Sequence, residues 1–218
     1  MKRHELTRAQ SWTILGGAAV MLSLAMGMRQ SWGLFQPHMM RDIGLTAADF
    51  SLAIAIQNIV WGITQPFVGI LADRHGVKPV AIFGVAIYAA GILISIFAHS
   101  PLVFILGAGI CVGIALSCTA SNIAMNVTAR TASPAARMVA MGSVSAVGSL
   151  GLTFISPLAQ NLITTSGWQV AMVGFLGLVA VMLPAAFLAG RTDRIEVETT
   201  PGVQQSVGQA VKEHSAMH

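Results

Sequence analysis

Six long apolar runs, at about 12–37, 51–71, 79–98, 102–124, 138–162 and 168–189, leave this chain few ways to fold. Each approaches or exceeds the roughly 20 residues a helix needs to cross the hydrocarbon layer of a bilayer. Lipid offers no partners for backbone N–H and C=O groups, so a spanning segment pairs its own as a helix or closes into a barrel. A barrel would show short alternating stretches instead of long runs. The expected fold is therefore all-α, a polytopic membrane protein with six transmembrane helices in one bundle. Composition agrees, because only 9% of the 218 residues are charged, against about a quarter in a soluble domain. With a mean hydropathy of +0.73, most of the surface is expected to face lipid.

The breaks between runs carry the chemistry of helix ends. Thr46 to Asp49 reads as a capping-box variant opening the second span, with Asp in the usual Glu position. Pro101, after His99 and Ser100, is placed to open the fourth. Ser133-Pro134 and Ser166-Gly167 mark loops before the fifth and sixth. Trp12, Trp61 and Trp168 are candidates for anchoring at the interface, although Trp61 falls well inside its run.

Counting Lys and Arg in alternate loops sets the expected orientation. Lys2, Arg3, Arg8, Arg74, Lys78, Arg130, Arg137, Arg191, Arg194 and Lys212 fall on one side, and Arg41 alone on the other. Ten against one predicts that both termini are cytoplasmic, in a cell (plasma or inner) membrane. This distribution also accounts for the net charge of +4 without a nucleic-acid partner, since the basic residues stand singly at the ends of apolar runs. Residues 1–11 then form a cytoplasmic segment and 12–190 the bundle. Residues 191–218, polar and alternating in charge, form a mobile cytoplasmic tail or the start of a loop to a further bundle. Cys111 and Cys118 share a helix face about 10.5 Å apart, too far for a disulfide, and read as small packing residues.

Between the second and third spans stands Gly69-Ile-Leu-Ala-Asp73-Arg74-His-Gly76-Val-Lys78. It resembles the loop signature of the major facilitator superfamily, with glycine, acid, base, glycine and base at the family's spacing. Residues 10–190 resemble the first six spans of such a twelve-span transporter. The resemblance implies that this loop holds one conformation by contacting neighbouring helices, with Asp73, Arg74 and Lys78 in that role. Physically, Gly69 would let helices approach closely, Gly76 would permit the tight turn, and Asp73 would accept from a basic side chain or a helix N-terminus. The fourth span lacks the arginine common there in the family. The fifth carries Gly142, Gly148, Gly151 and Pro157 instead of the spacing typical of antiporters. Both departures weigh against proton coupling and drug antiport.

Arg29 is the one ionisable residue well inside an apolar run. A charge at the bilayer centre costs at least about 2.5–3.5 kcal/mol, so it usually faces a cavity or a partner. The surrounding Gly27 to Phe35 segment resembles the first span of monocarboxylate and oxalate/formate transporter-like members. That resemblance implies a guanidinium offered to a substrate carboxylate. Counted from Trp12, however, Arg29 lies roughly 26 Å along the helix, where snorkelling to the outer interface or structural pairing would also serve. Gln57, Asn58 and Asn122 are the further candidates for lining a pathway, with bonding between helices as the alternative. Gln57 and Asn58 point about 100° apart, so only one of them is expected to face the pathway. Gly109 and Gly113 form a close-packing face.

No Asp or Glu lies inside a run, so no carboxylate proton relay is expected. No nucleophile with a base, no metal cluster and no phosphate loop is present, so neither an enzyme nor a cofactor is expected. The leading expectation is secondary transport of a small organic anion, a carboxylate, by alternating access, this chain supplying the N-terminal half. A second six-helix half, another copy or further sequence would complete it. The alternatives are a drug or metabolite efflux half-transporter, and a truncated or accessory membrane protein that moves nothing.

Overall fold

The computed structural model describes residues 8–132 and 135–194. Six helical stretches are long and apolar enough to cross a membrane: Ala9–Ile43, Ala47–His75, Val77–Ile96, Pro101–Thr131, Arg137–Ser166 and Trp168–Asp193. No strand is present among the described residues.

The first span exceeds its apolar run. Helix α1 (Arg8–Ser31) tightens into a 3₁₀ turn at Trp32–Phe35 and continues as α2 (Gln36–Ile43), with Pro37 in its first turn. Hydropathy misses α2 because Gln36, His38, Arg41 and Asp42 interrupt its apolar residues. Trp32, Phe35, Phe50, Phe104 and Phe175 meet around the turn, in edge-to-face and stacked pairs 5.3–6.1 Å apart. They join the first span to the starts of the second and fourth and to the sixth.

Helix α3 (Ala47–His75) opens with the expected capping box. Asp49 N donates to Thr46 Oγ1 at 3.1 Å, and Thr46 N to Asp49 Oδ2 at 3.0 Å. Helix α4 (Val77–Ile96) follows after the single residue Gly76, whose φ of +91° suits glycine. The fourth span begins as α5 (Pro101–Phe104), with Ser100 capping and Pro101 at its start. It loosens into a π-helical stretch at Ile105–Cys111 and resumes as α6 (Val112–Thr119). At Ala120, with ψ near −142°, it breaks before α7 (Ser121–Thr131). Helices α8 (Arg137–Ser166) and α9 (Trp168–Ala189) meet at Gly167, with φ +90°. The loop expected at Ser133-Pro134 lies outside the described residues.

Small residues set the packing. On α4 and the antiparallel fourth span, Gly84 faces Cys118, Gly91 faces Gly107 and Cys111, and Gly107 faces Ser95. Both cysteines are free and fill the space left by α4 glycines, which is the packing role expected of them. On the other side of the fourth span, a Cβ at Gly109 would lie 3.1 Å from Ala53 O and one at Gly113 2.9 Å from Gln57 O. These two glycines do form a close-packing face. The tightest crossing is α1 on α8, where a Cβ on Gly151 would run into the Ser23 carbonyl and one on Gly27 would lie 2.6 Å from Gly151 O. Ser31 and Ser156 hydroxyls bond across the same crossing at 3.0 Å. Trp12 is exposed, as an interfacial anchor would be, whereas Trp168 is buried and donates to Asp42 Oδ2 at 2.8 Å.

Ordered structure continues past the expected bundle end at 190. A 3₁₀ turn at Gly190–Arg194 folds back onto α4, burying Thr192. Its Asp193 carboxylate accepts from Val77 N at 2.6 Å and Lys78 N at 2.8 Å. A carboxylate there satisfies orphan donors and meets the positive end of the helix dipole. Replacing Asp193 by Ala is expected to lower stability by about 1 kcal/mol, in the range of a lost N-cap. Asn should retain most of that, and thermal unfolding in detergent would show whether Ala and Asn differ in that order.

Candidate functional site

The second and fourth spans run parallel, and their seam carries a ladder of polar contacts. Gln57 Nε2 donates to Ala108 O at 2.7 Å, and Ser117 Oγ to Trp61 O at 2.9 Å. Further along, Asn122 Nδ2 donates to Gln65 O at 3.3 Å, and Asn126 Nδ2 to Asp73 Oδ1 at 3.2 Å. Gln57 is 1% exposed, so it belongs to the seam and is corrected from pathway lining to bonding between helices. Its neighbour Asn58 is exposed, one helical step around α3. Asn122 is exposed as well, with its amide N–H on the α3 backbone.

Arg29 and Asn58 come together. Arg29 Nη2 donates to Asn58 Oδ1, and Asn58 Nδ2 to Ile54 O at 2.8 Å, which fixes the amide's orientation. The guanidinium carbon lies 4.9 Å from the centre of the Trp61 ring, within reach of cation–π attraction. Arg29 Nε and Trp61 Nε1 are both buried without a hydrogen-bond partner. No carboxylate lies within ion-pair distance of Arg29 among the described residues.

Depth is corrected along with the length of the first span. Because that span runs to Ile43, Arg29 falls in the middle third of its 35 residues. Its partners Asn58 and Trp61 fall in the middle third of the 29-residue α3. The side chain is turned onto Asn58 and Trp61 of α3. Trp61, an interfacial candidate by residue type, instead joins this cluster. Its placement well inside an apolar run was the signal.

The loop residues separate by role. Asp73 accepts from Arg130 Nη2 at 2.5 Å, with Arg130 mostly covered and Asp73 mostly exposed. The α3–α4 loop is thereby tied to the end of α7. At Gly76 a Cβ would lie 2.7 Å from Asp193 Oδ2, so the turn needs glycine for clearance as well as for its φ. Arg74 is exposed, while Lys78 Nζ sits 4.8 Å from the centre of the Phe187 ring. Gly69 does not serve close packing between the described helices, since nothing lies within 4 Å of a Cβ built there.

Six apolar helices, with a mid-span cation held between the first and second, define a multi-pass membrane protein with a polar cluster on its open side. The model of the Major Facilitator Superfamily matches residues 14–215, nearly the whole chain. The chain belongs to this superfamily of membrane transporters. Among curated relatives, it is 29% identical over 170 residues to monocarboxylate transporter 3 of Rattus norvegicus, covering 77% of this chain and 34% of that one. It is 28% identical over 177 residues to the oxalate:formate antiporter of Oxalobacter formigenes, covering 79% and 40%. Monocarboxylate transporter 11 of Mus musculus is 27% identical over 172 residues, covering 79% and 38%. The chain thus spans between a third and two-fifths of the length of these relatives.

Proposed function

We propose that this chain forms the N-terminal six-helix half of a secondary transporter for a small organic anion, a mono- or dicarboxylate, working by alternating access. The observation that carries this reading is the Arg29 cluster. A guanidinium at mid-span has a neutral amide and an aromatic face for company, and its own Nε–H and the Trp61 Nε1–H beside it are buried without acceptors. A carboxylate supplies acceptor oxygens and the missing negative charge together, and guanidinium and carboxylate match as paired hydrogen-bonding forks. Relatives named for monocarboxylate and oxalate:formate transport support the same class of solute.

In this reading Arg29 holds the carboxylate, Asn58 and Trp61 hold Arg29, and Asn122 lines the same open side. Asp73, Arg74, Gly76 and Lys78 form the conformational loop on the cytoplasmic face, where the basic excess places both termini. The membrane is a plasma or inner membrane. Gly69, with open space beside it, meets a helix of the second half. One bundle supplies one wall, and rocking against a second bundle exposes a midplane site to each side in turn. The protein is a carrier and not an enzyme.

The test is uptake into liposomes of labelled mono- and dicarboxylates and of a lipophilic cation, by the chain alone and with a second six-helix unit. Carboxylate uptake only by the pair, or by a dimer of the chain, is the expected result. A strict monomer in detergent that moves no solute in any combination would sink the proposal. Uptake of the cation alone would favour efflux.

A further inference from the structure

Where α4 begins and α9 finishes, a recess of about 240 Å³ opens between Lys78, Phe187, Gly190 and Arg191. The 3₁₀ turn sits against α4 so closely that a Cβ on Gly190 would lie 2.8 Å from Lys78 Cα. The Phe187 ring holds the Lys78 ammonium at the wall of the recess, and Arg191 is exposed beside it. Asp193, the one acidic residue of the turn, has both oxygens engaged by the backbone N–H groups of Val77 and Lys78. Among the described residues, neither Lys78 nor Arg191 has a carboxylate within ion-pair distance. The recess therefore presents two uncompensated cations, one a point charge and one a planar fork. Together they suit the oxygens of a phosphate.

Position narrows the ligand. The recess lies at the ends of two membrane-spanning helices, at the depth of lipid headgroups. From it, exposed Leu183 and Phe187 continue one helical turn apart along α9 toward the middle of the span. A free phosphate would use the charges and leave this apolar strip idle. We propose that the recess binds the headgroup phosphate of an anionic phospholipid, whose acyl chains lie along Leu183 and Phe187.

Native mass spectrometry of the purified 218-residue chain, titrated with phosphatidylglycerol or phosphatidylcholine, tests this directly. Phosphatidylglycerol is expected to be retained in preference. Each basic group near a charged surface contributes about fivefold in affinity, so Lys78→Gln with Arg191→Gln should weaken retention by about thirtyfold. Arg137→Gln, which removes an exposed charge at the same end of the bundle, should leave retention unchanged. Thermal unfolding of each variant reports whether it is folded, and Arg191→Gln alone, in a residue outside the helix packing, should still lose about fivefold. Equal retention of both lipids, an equal loss on Arg137→Gln, or unchanged retention in the double variant would overturn the proposal. Displacement of the lipid by millimolar inorganic phosphate would also overturn it, by showing a simple anion site.

Discussion

Arg29→Gln is expected to reduce carboxylate uptake by about 10- to 150-fold, the range that corresponds to a lost hydrogen bond to a charged group. The variant keeps a polar side chain of similar reach and removes the positive charge. Arg29→Lys keeps the charge but has no planar fork, and its flexible ammonium cannot reproduce the contact with Asn58 and the Trp61 face together. It should fall between wild type and Gln, with about a tenfold loss. Asn58→Asp is an independent check, because a carboxylate beside Arg29 would compete with the solute for the same donors and should lower uptake at least as far as Gln. These measurements belong in the completed transporter, with carboxylate concentration varied so that weakened binding is separated from slowed turnover. Uptake unchanged in both Arg29 variants would remove Arg29 from the solute site.

The largest structural effect is expected at the crossing of α1 and α8. In Gly151→Ala the new methyl would overlap the Ser23 carbonyl, and the carbonyl carbon would be only 2.5 Å away. Both are backbone atoms of a packed helix, so nothing can rotate aside and the helices must separate. Overpacking commonly costs about 1–3 kcal/mol, and this site belongs at or above the top of that range. The same change at Gly142, nine residues earlier on α8, meets nothing within 4 Å. There it should be neutral or stabilising by up to about 1 kcal/mol, since alanine favours helix over glycine. Thermal melting and monodisperse yield in detergent compare the pair. Similar behaviour of the two variants would mean that α1 and α8 do not cross as described.

Hydropathy and charge made the number of spans legible because lipid imposes a demand that every residue of a run must meet. The capping box at Thr46 and the proline start at Pro101 were legible because helix ends are built from neighbours in sequence. Features that depend on distant residues were not. Helix α2 escaped notice because its polar residues conceal a continuing span, and with it the place of Arg29 along that span. The angular argument did separate Gln57 from Asn58 as neighbours facing different surroundings. It left open which of them was buried, because only the small residues of the fourth span create the seam that Gln57 enters. Trp61 was visible as a residue out of place for an anchor, but its partner sits 32 positions away on another helix. Asp193 gave no local signal, since a polar tail and a helix cap from a remote segment look alike in one dimension.

That cap also has a consequence for the timing of biogenesis. A ribosome releases the third span long before Asp193 emerges, so until then water at the membrane face must answer the two backbone donors in the first turn of α4. Only when the sixth span has been inserted does the carboxylate arrive to close it. The start of α4 is therefore finished only after the last helix, and a chain stopped before residue 193 would hold six spans with that cap left to water.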